Sequence, residues 1–378
     1  VQIRAHSWIV LFLKFRRILK LSSDRKPFAK LADPAKYVAC DWDLTTDIEG
    51  RTHWVNFFCR HVDTLLKLGV EAAVARNEPS ALATARADAC RAEFVPVFQK
   101  FGQNPIRYGR VTILTLDEWR DELLRKHGFV DAFVDLKSRE NEKMLPLLSD
   151  LCRQIDALEG DAQCRAIFEG VFAGNIFDMG AEATARQFLA GSPDFFKIRQ
   201  SLAPRPWLID DYDALSHRLL NGPRHRKCVF FIDNAGSDFL LGAIPMIRWL
   251  AMRGTEVVIA ANERPTLNDM TVHDVLEWWP RILASEPSIS ALSIRIVSTG
   301  TGEPLIDLSA VSSELNAAAD DADLVILEGM GRGVESNLDA TFSCDAINLA
   351  MIKDVMIAKR HGGKVFDIVC QFSARVVH

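Results

Sequence analysis

Between Lys227 and Thr271 the chain holds two short apolar runs, KCVFFI (227–232) and EVVIAA (256–261), each ending in a polar cluster. Runs of this length, rich in β-branched and aromatic residues and without alternation, suit strands buried on both faces of a parallel sheet. The first stops at Asp233-Asn234-Ala235-Gly236, where Gly236 can take the positive φ of a tight turn. From Phe239 to Arg253 apolar residues recur at helical spacing, Gly254 supplies a stop, and the second run ends at Asn262-Glu263. The pattern predicts a right-handed βαβ unit.

The scheme recurs downstream. SIRIVS (293–298) leads into Thr299-Gly300-Thr301-Gly302-Glu303, and residues 323–327 lead into Glu328-Gly329-Met330-Gly331-Arg332-Gly333. A last strand is expected over 364–372, after a helix ended by Gly362-Gly363. Five strands are thus predicted, with nearly every polar cluster at a carboxyl end, where open doubly wound sheets bind ligands. Residues from about 50 to 200 read differently. Val55–Leu68, Ala81–Lys100, Leu116–Lys126, Glu140–Ala157 and Arg165–Phe172 carry apolar residues at three-and-four spacing, which predicts helices. Ala203–Asp211, with two prolines, is the expected crossing between the two parts.

A length of 378 residues suffices for two domains, and a net charge of -5 offers no basic field for nucleic acid. Eight cysteines are scattered without a Cys-x-x-Cys pair, so neither zinc ligation nor a disulfide framework is indicated, and a reducing, cytoplasmic setting is expected. Ser7–Leu21 mixes apolar residues with four basic ones; its apolar run is too short to span a bilayer. Residues 1–36 are read as a basic amphipathic leader, either a helix packing on the body, a piece of a longer polypeptide, or a mitochondrial presequence.

Asp233, Asn234 and Asp269 form the leading constellation. Two carboxylates balance one divalent cation and an amide oxygen adds a neutral ligand, an all-oxygen set suited to Mg²⁺ or Mn²⁺. Both aspartates are equally good helix N-caps, and spacing alone does not choose. The Gly329, Gly331 and Arg332 loop has the features of an anion cradle, with a plain glycine turn as its alternative. Glu328 at the strand end is a candidate general base or a group that supports the site from behind, and Lys353, expected on the following helix, is either a phosphate contact or a solvated lysine. Asn175 and Asp178 in GNIFD (174–178) either reach over the crevice or break a helix. The Thr299–Glu303 loop is a weak match to an S-adenosylmethionine-type glycine loop. Asp41-Trp42-Asp43-Leu44-Thr45 copies the Asp-x-Asp-x-Thr pattern of haloacid-dehalogenase-type phosphatases, but a long helical stretch follows where their sheet would continue.

Taken together, GNIFDMG (174–180), RPWLIDD (205–211), DNAGSD (233–238), AANERPTLNDMT (260–271), DADLVILEGMGRG (321–333) and the closing CDAINLAMIKD and GGKVF segments resemble the damage-control phosphatase family (domain of unknown function 89), over roughly residues 40–372. The Glu-Gly-Met-Gly-Arg string is similar to the signature of its second subfamily, found in stand-alone plant proteins and at the carboxyl end of pantothenate-kinase-like fusions. The resemblance implies an α/β fold, a Rossmann-like α/β/α sandwich (203–378) with an N-terminal all-helical domain (37–202). It implies a divalent metal (Mn²⁺, Co²⁺, Ni²⁺ or Mg²⁺) on Asp233, Asn234 and Asp269, the residues the ligand chemistry had singled out. It further implies metal-dependent hydrolysis of a small phosphorylated metabolite, 4'-phosphopantetheine or its oxidised forms, limiting coenzyme A synthesis. The alternative is a non-catalytic, metal-stabilised module that binds phosphopantetheine or a partner protein. After the third strand the chain has Ser-Thr-Gly-Thr-Gly-Glu where the family usually has Ser-Gly-Asn-Asp, a departure that bears on substrate preference.

Overall fold

A computed structural model describes residues 25–176 and 194–375. The leader segment Ser7–Leu21 and the candidate Asp178 lie outside the described residues.

Among the described residues six α-helices come first: α1 (Ile48–Ala75), α2 (Ser80–Gln103), α3 (Ile113–Lys126), α4 (Val134–Met144), α5 (Leu148–Asp156) and α6 (Gly160–Gly174). Asp47 caps α1 by accepting from the Gly50 N–H at 2.9 Å, and Thr112 caps α3. In α2, Ala83, Ala87, Cys90, Phe94, Phe98 and Phe101 recur every three or four residues and are all buried. Phe98 stacks on Phe94 and, across the helix pair, on Phe58 of α1, with centroids 4.6 and 4.9 Å apart.

After α7 (Phe195–Gln200) come β1 (Ile209–Asp210), α8 (Tyr212–Asn221), β2 (Lys227–Phe231), α9 (Ile244–Met252), β3 (Glu256–Ala261), α10 (Val272–Ser285), β4 (Ile294–Ser298), α11 (Ser313–Ala319), β5 (Leu324–Glu328), β6 (Asp345–Met351), α12 (Val355–Arg360) and β7 (Ile368–Ser373). The strands form one sheet in the order β1-β7-β6-β5-β2-β3-β4. All neighbours are parallel except β6 and β7. Alternation sorts the strand residues into two layers. Cys228, Phe230, Val257, Ile259, Leu324 and Ile326 pack with α5, α6, α9 and α10. Val229, Phe231, Val258, Ala260, Val325 and Leu327 pack with α11 and with Phe28. The expected α/β/α sandwich with helices ahead of it is therefore what the chain forms.

Several local expectations are corrected. The sheet has seven described strands rather than five: β1 and β6 were not anticipated. The last strand spans Ile368–Ser373 and runs against β6. Lys353 lies between β6 and α12, not on a helix. Residues 37–40 form no strand, and Asp41 is exposed in a pair with Arg360 at 2.8 Å, so the dehalogenase pattern lacks its structural frame. Neither Asp233 nor Asp269 caps a helix: α10 is capped by Thr271, and Asp233 precedes the π-helical turn Asp238–Ala243 by five residues. Among the described residues no helix is long and apolar enough to cross a membrane.

From β2 the chain moves to β3 and β4 on one side, then returns to β5 and β6 on the other, so the sheet's switch point lies between β2 and β5. Four of the loops leaving carboxyl ends send an apolar side chain into the core of the helical part: Leu267 after β3, Leu305 after β4, Met330 after β5 and Ile352 after β6. The helices thereby close over the crevice.

Candidate active site

At the switch point Asp233 follows β2 by two residues and Glu328 ends β5, and the segments around them bring six further polar side chains together, all buried: Asn175, Asn234, Asp238, Asp269, Arg332 and Lys353. The loop after β2 is locked to the loop after β3 through its backbone. Asn234 and Asp269 form an antiparallel bridge, Met270 N donates to Asp233 O at 2.9 Å, and Ala235 N donates to Asn268 O at 2.9 Å. Asp269 is thus held beside Asp233 although 36 positions separate them in sequence.

Two amides organise the aspartates. Asn234 Nδ2 donates to Asp233 Oδ2 and to Asp238 Oδ2, each at 2.9 Å. Asn175, at the end of α6, donates Nδ2–H to the same two oxygens at 3.3 and 3.1 Å. Its carbonyl Oδ1 accepts from Met351 N at 3.2 Å and Lys353 Nζ at 3.3 Å, and its backbone O accepts from Lys353 Nζ at 2.8 Å. Asn262, at the end of β3, donates to Asp269 Oδ2 and to Glu303 O at 3.2 Å.

Arg332 is the central cation. Its Nη1 donates to Asp233 Oδ1 and, at 3.2 Å, to Pro304 O; its Nη2 donates to Asp269 Oδ2 at 2.8 Å. Gly329 permits this approach. Its φ is +102°, and a Cβ there would stand 2.2 Å from Asp233 Oδ2. A Cβ on Gly331 would meet Pro304 O at 2.7 Å.

Burial dominates the electrostatics. It pushes the Asp233 carboxyl well above the usual range, with Arg332 opposing and Asp269 adding to the rise. Burial likewise pushes Glu328 well above its ordinary value, and the Asp238 carboxyl adds to it. Neither Glu328 oxygen meets an N–H or a hydroxyl; a hydrogen bond with the Asp238 carboxyl adds to the rise of its pKa, and Ser237 Oγ and Asn262 Oδ1 are buried without a partner. Arg332, for its part, is desolvated, but the Asp269 and Asp233 carboxylates outweigh that and hold it charged.

The all-oxygen metal site expected of Asp233, Asn234 and Asp269 is not what the fold builds. Among the described residues, no group of three or more His, Cys, Asp or Glu side chains converges in a way that could hold a metal ion. The Arg332 guanidinium lies between the two carboxylates and brings the positive charge expected of a divalent ion. Asn234 turns its NH₂ group, rather than its carbonyl oxygen, to the aspartates. The expectation of a Mn²⁺, Co²⁺, Ni²⁺ or Mg²⁺ cofactor, with the metal-dependent mechanism built on it, is withdrawn.

Other candidates fall into place differently. Arg332 was expected to face an anion, but its donors go to carboxylates of this chain. The Thr299–Glu303 loop shapes the wall: Thr301 O accepts from Glu263 N at 2.7 Å, and Glu303 pairs with Arg264 at 3.2 Å. Asp238 and Asn262 were not picked out from sequence. The signals available were the spacing of Asp238, four residues after Asn234, and the position of Asn262 at the very end of a strand.

Comparison with known proteins places this arrangement. The family model for the damage-control phosphatase ARMT1-like domain matches residues 77–369. The chain is 35% identical to a pantothenate kinase 2 of Arabidopsis thaliana over 94% of its own length, but that match covers 42% of the relative. It is 33% identical to a damage-control phosphatase of the same plant, covering 94% of this chain and 99% of that one. A 4'-phosphopantetheine phosphatase of Mus musculus is 31% identical, over 90% of this chain and 48% of its own. The chain therefore spans less than half the length of the pantothenate kinase and the mouse phosphatase. A solved Pyrococcus horikoshii protein of the domain-of-unknown-function-89 family superposes with a TM-score of 0.58 at 19% identity, over 86% of this chain and 98% of that one, a likeness of fold.

Proposed function

The chain belongs to the damage-control phosphatase ARMT1-like family, and from that premise we propose that it hydrolyses the phosphate monoester of a small metabolite of the 4'-phosphopantetheine type. Similarity to a relative bearing that substrate's name supports the choice of substrate. The observation that carries the reading is the convergence of Asp233, Asp269, Glu328, Arg332 and Lys353 on the sheet's switch point, where all five are buried beneath the helical part.

In this reading residues 203–378 carry the chemistry and residues 37–202 close the site over the substrate. Lys353 meets the phosphate oxygens in a low-dielectric setting, where a charge interaction is worth far more than in water, while Arg332 stays on the Asp233 and Asp269 carboxylates. Asn175 and Asn234 orient the aspartates. Glu328, kept protonated by burial, donates its proton to the leaving alkoxide as the P–O ester bond breaks. Water forms the new P–O bond and passes its proton to the Asp233 carboxylate, whose charged form the paired Arg332 favours.

The test is phosphate release from 4'-phosphopantetheine and from 4-nitrophenyl phosphate by the folded protein, beside Asp233→Asn. Release from the first substrate, lost in the variant by about a hundredfold or more, is the expected result. No release by folded wild-type protein, with retained phosphopantetheine binding in calorimetry, would replace this reading with that of a binding module.

A further inference from the structure

The helical part grips both loops that carry the aspartates. On α4, Asn141 accepts from Gly236 N at 2.7 Å and so pins the turn after β2. On α3, Arg120 is buried, with Nε donating to Asp121 Oδ1 at 2.7 Å and Nη1 to Asp117. Its Nη2 donates to Thr266 Oγ1 at 2.7 Å, and that hydroxyl donates in turn to Asp121 Oδ2 at 2.7 Å. One side-chain oxygen on the loop after β3 is therefore held from two sides by residues about 145 positions earlier in the chain.

The three residues after Thr266 make this grip consequential. Leu267 has φ +41°, a left-handed conformation that a bulky residue seldom adopts, and its side chain is sunk in the helical core. Asn268 O then accepts from Ala235 N, and Asp269 meets Arg332 and Asn262. An ion cluster of this kind is a poor source of stability, because apolar residues of similar volume would hold the two parts together at least as well. Its contribution is geometric.

We propose that the Arg120–Asp121–Thr266 cluster is a positioning device, by which the helical part sets the Asp269 carboxylate, and through it Arg332, for the reaction. This rests on the phosphatase reading above. Arg120 and Thr266 act through Asp269 and touch no reacting atom.

Thr266→Val keeps the branching of the side chain and removes both hydrogen bonds; Thr266→Ser keeps the hydroxyl. Turnover of 4'-phosphopantetheine and hydrogen exchange of the Met270 amide, which donates to Asp233 O, are measured on both. The valine variant is expected to lose about tenfold to a hundredfold in kcat, with KM moving less than about threefold. Met270 exchange should speed up, and the serine variant should restore both. Wild-type kcat with unchanged exchange in Thr266→Val would overturn the proposal. If the valine variant does not fold, Arg120→Lys, which keeps the charge but loses the planar fork, is held to the same outcomes. Should the wild type release no phosphate, the phosphatase reading falls, and the exchange comparison by itself decides whether Thr266 sets the loop.

Discussion

Arg332 shows how burial turns a single side chain into a site. It is shared by Asp233 and Asp269, and removing it strands two carboxylates out of water. Arg332→Met is expected to destabilise the fold by about 3–5 kcal/mol, the usual result of breaking a buried pair from one side, as read by urea denaturation. Gly329→Ala would push a methyl group into Asp233 at a positive φ, with an expected cost of roughly 1–3 kcal/mol. Glu328 gives the pH dependence. Its pKa is raised in the fold above an ordinary value near 4.5, so the native state keeps the proton that the unfolded chain releases. Stability is then fully present below that ordinary value and falls as pH rises towards the folded pKa, by about 1.4 kcal/mol per unit. Glu328→Gln, neutral throughout, should melt higher than wild type at pH 8, with the gap closing towards pH 4. The aspartates and Arg332 were legible in the sequence as polar residues at strand ends. That Arg332 would answer Asp233 and Asp269 was not, because its partners lie 99 and 63 residues away.

At the scale of elements, what could be read depended on whether burial left a simple pattern. β2, β3 and β5 are continuous apolar runs because both faces are covered, and they were found. β6 (DAINLAM) was missed because polar residues interrupt it: Asp345 pairs with His225 and Arg218, and Asn348 donates to Gly333 O and Asn337 O. The two-residue β1 and the π-helical turns at Asp238–Ala243 and Met330–Glu335 have no period by which to find them. Most helices of the first part were legible through their three-and-four spacing, but the stretch read as one helix over Glu140–Ala157 is broken at Leu145–Leu147 into α4 and α5. α10 begins at a capping box, where Thr271 and Asp274 satisfy each other's backbone N–H groups two residues beyond Asp269. Thr271→Ala should cost about 1 kcal/mol in denaturant unfolding and loosen the same loop that Thr266 holds.

At the scale of the whole molecule, the sandwich supplies the crevice and the helices supply its roof. The sequence implied this architecture through the order of its motifs. It also led to a metal on three residues that the fold instead satisfies with its own guanidinium and amides, since spacing reports which oxygens come together but not what already sits between them. The role proposed for the Asp233–Arg332–Asp269 cluster is hydrolysis of a phosphate monoester. The most direct measurement is kcat/KM for 4'-phosphopantetheine in wild type and Asp269→Asn, both shown folded by their unfolding transitions. Turnover in the wild type and a loss of about a hundredfold or more in the variant are expected; equal turnover in the two would place the chemistry elsewhere.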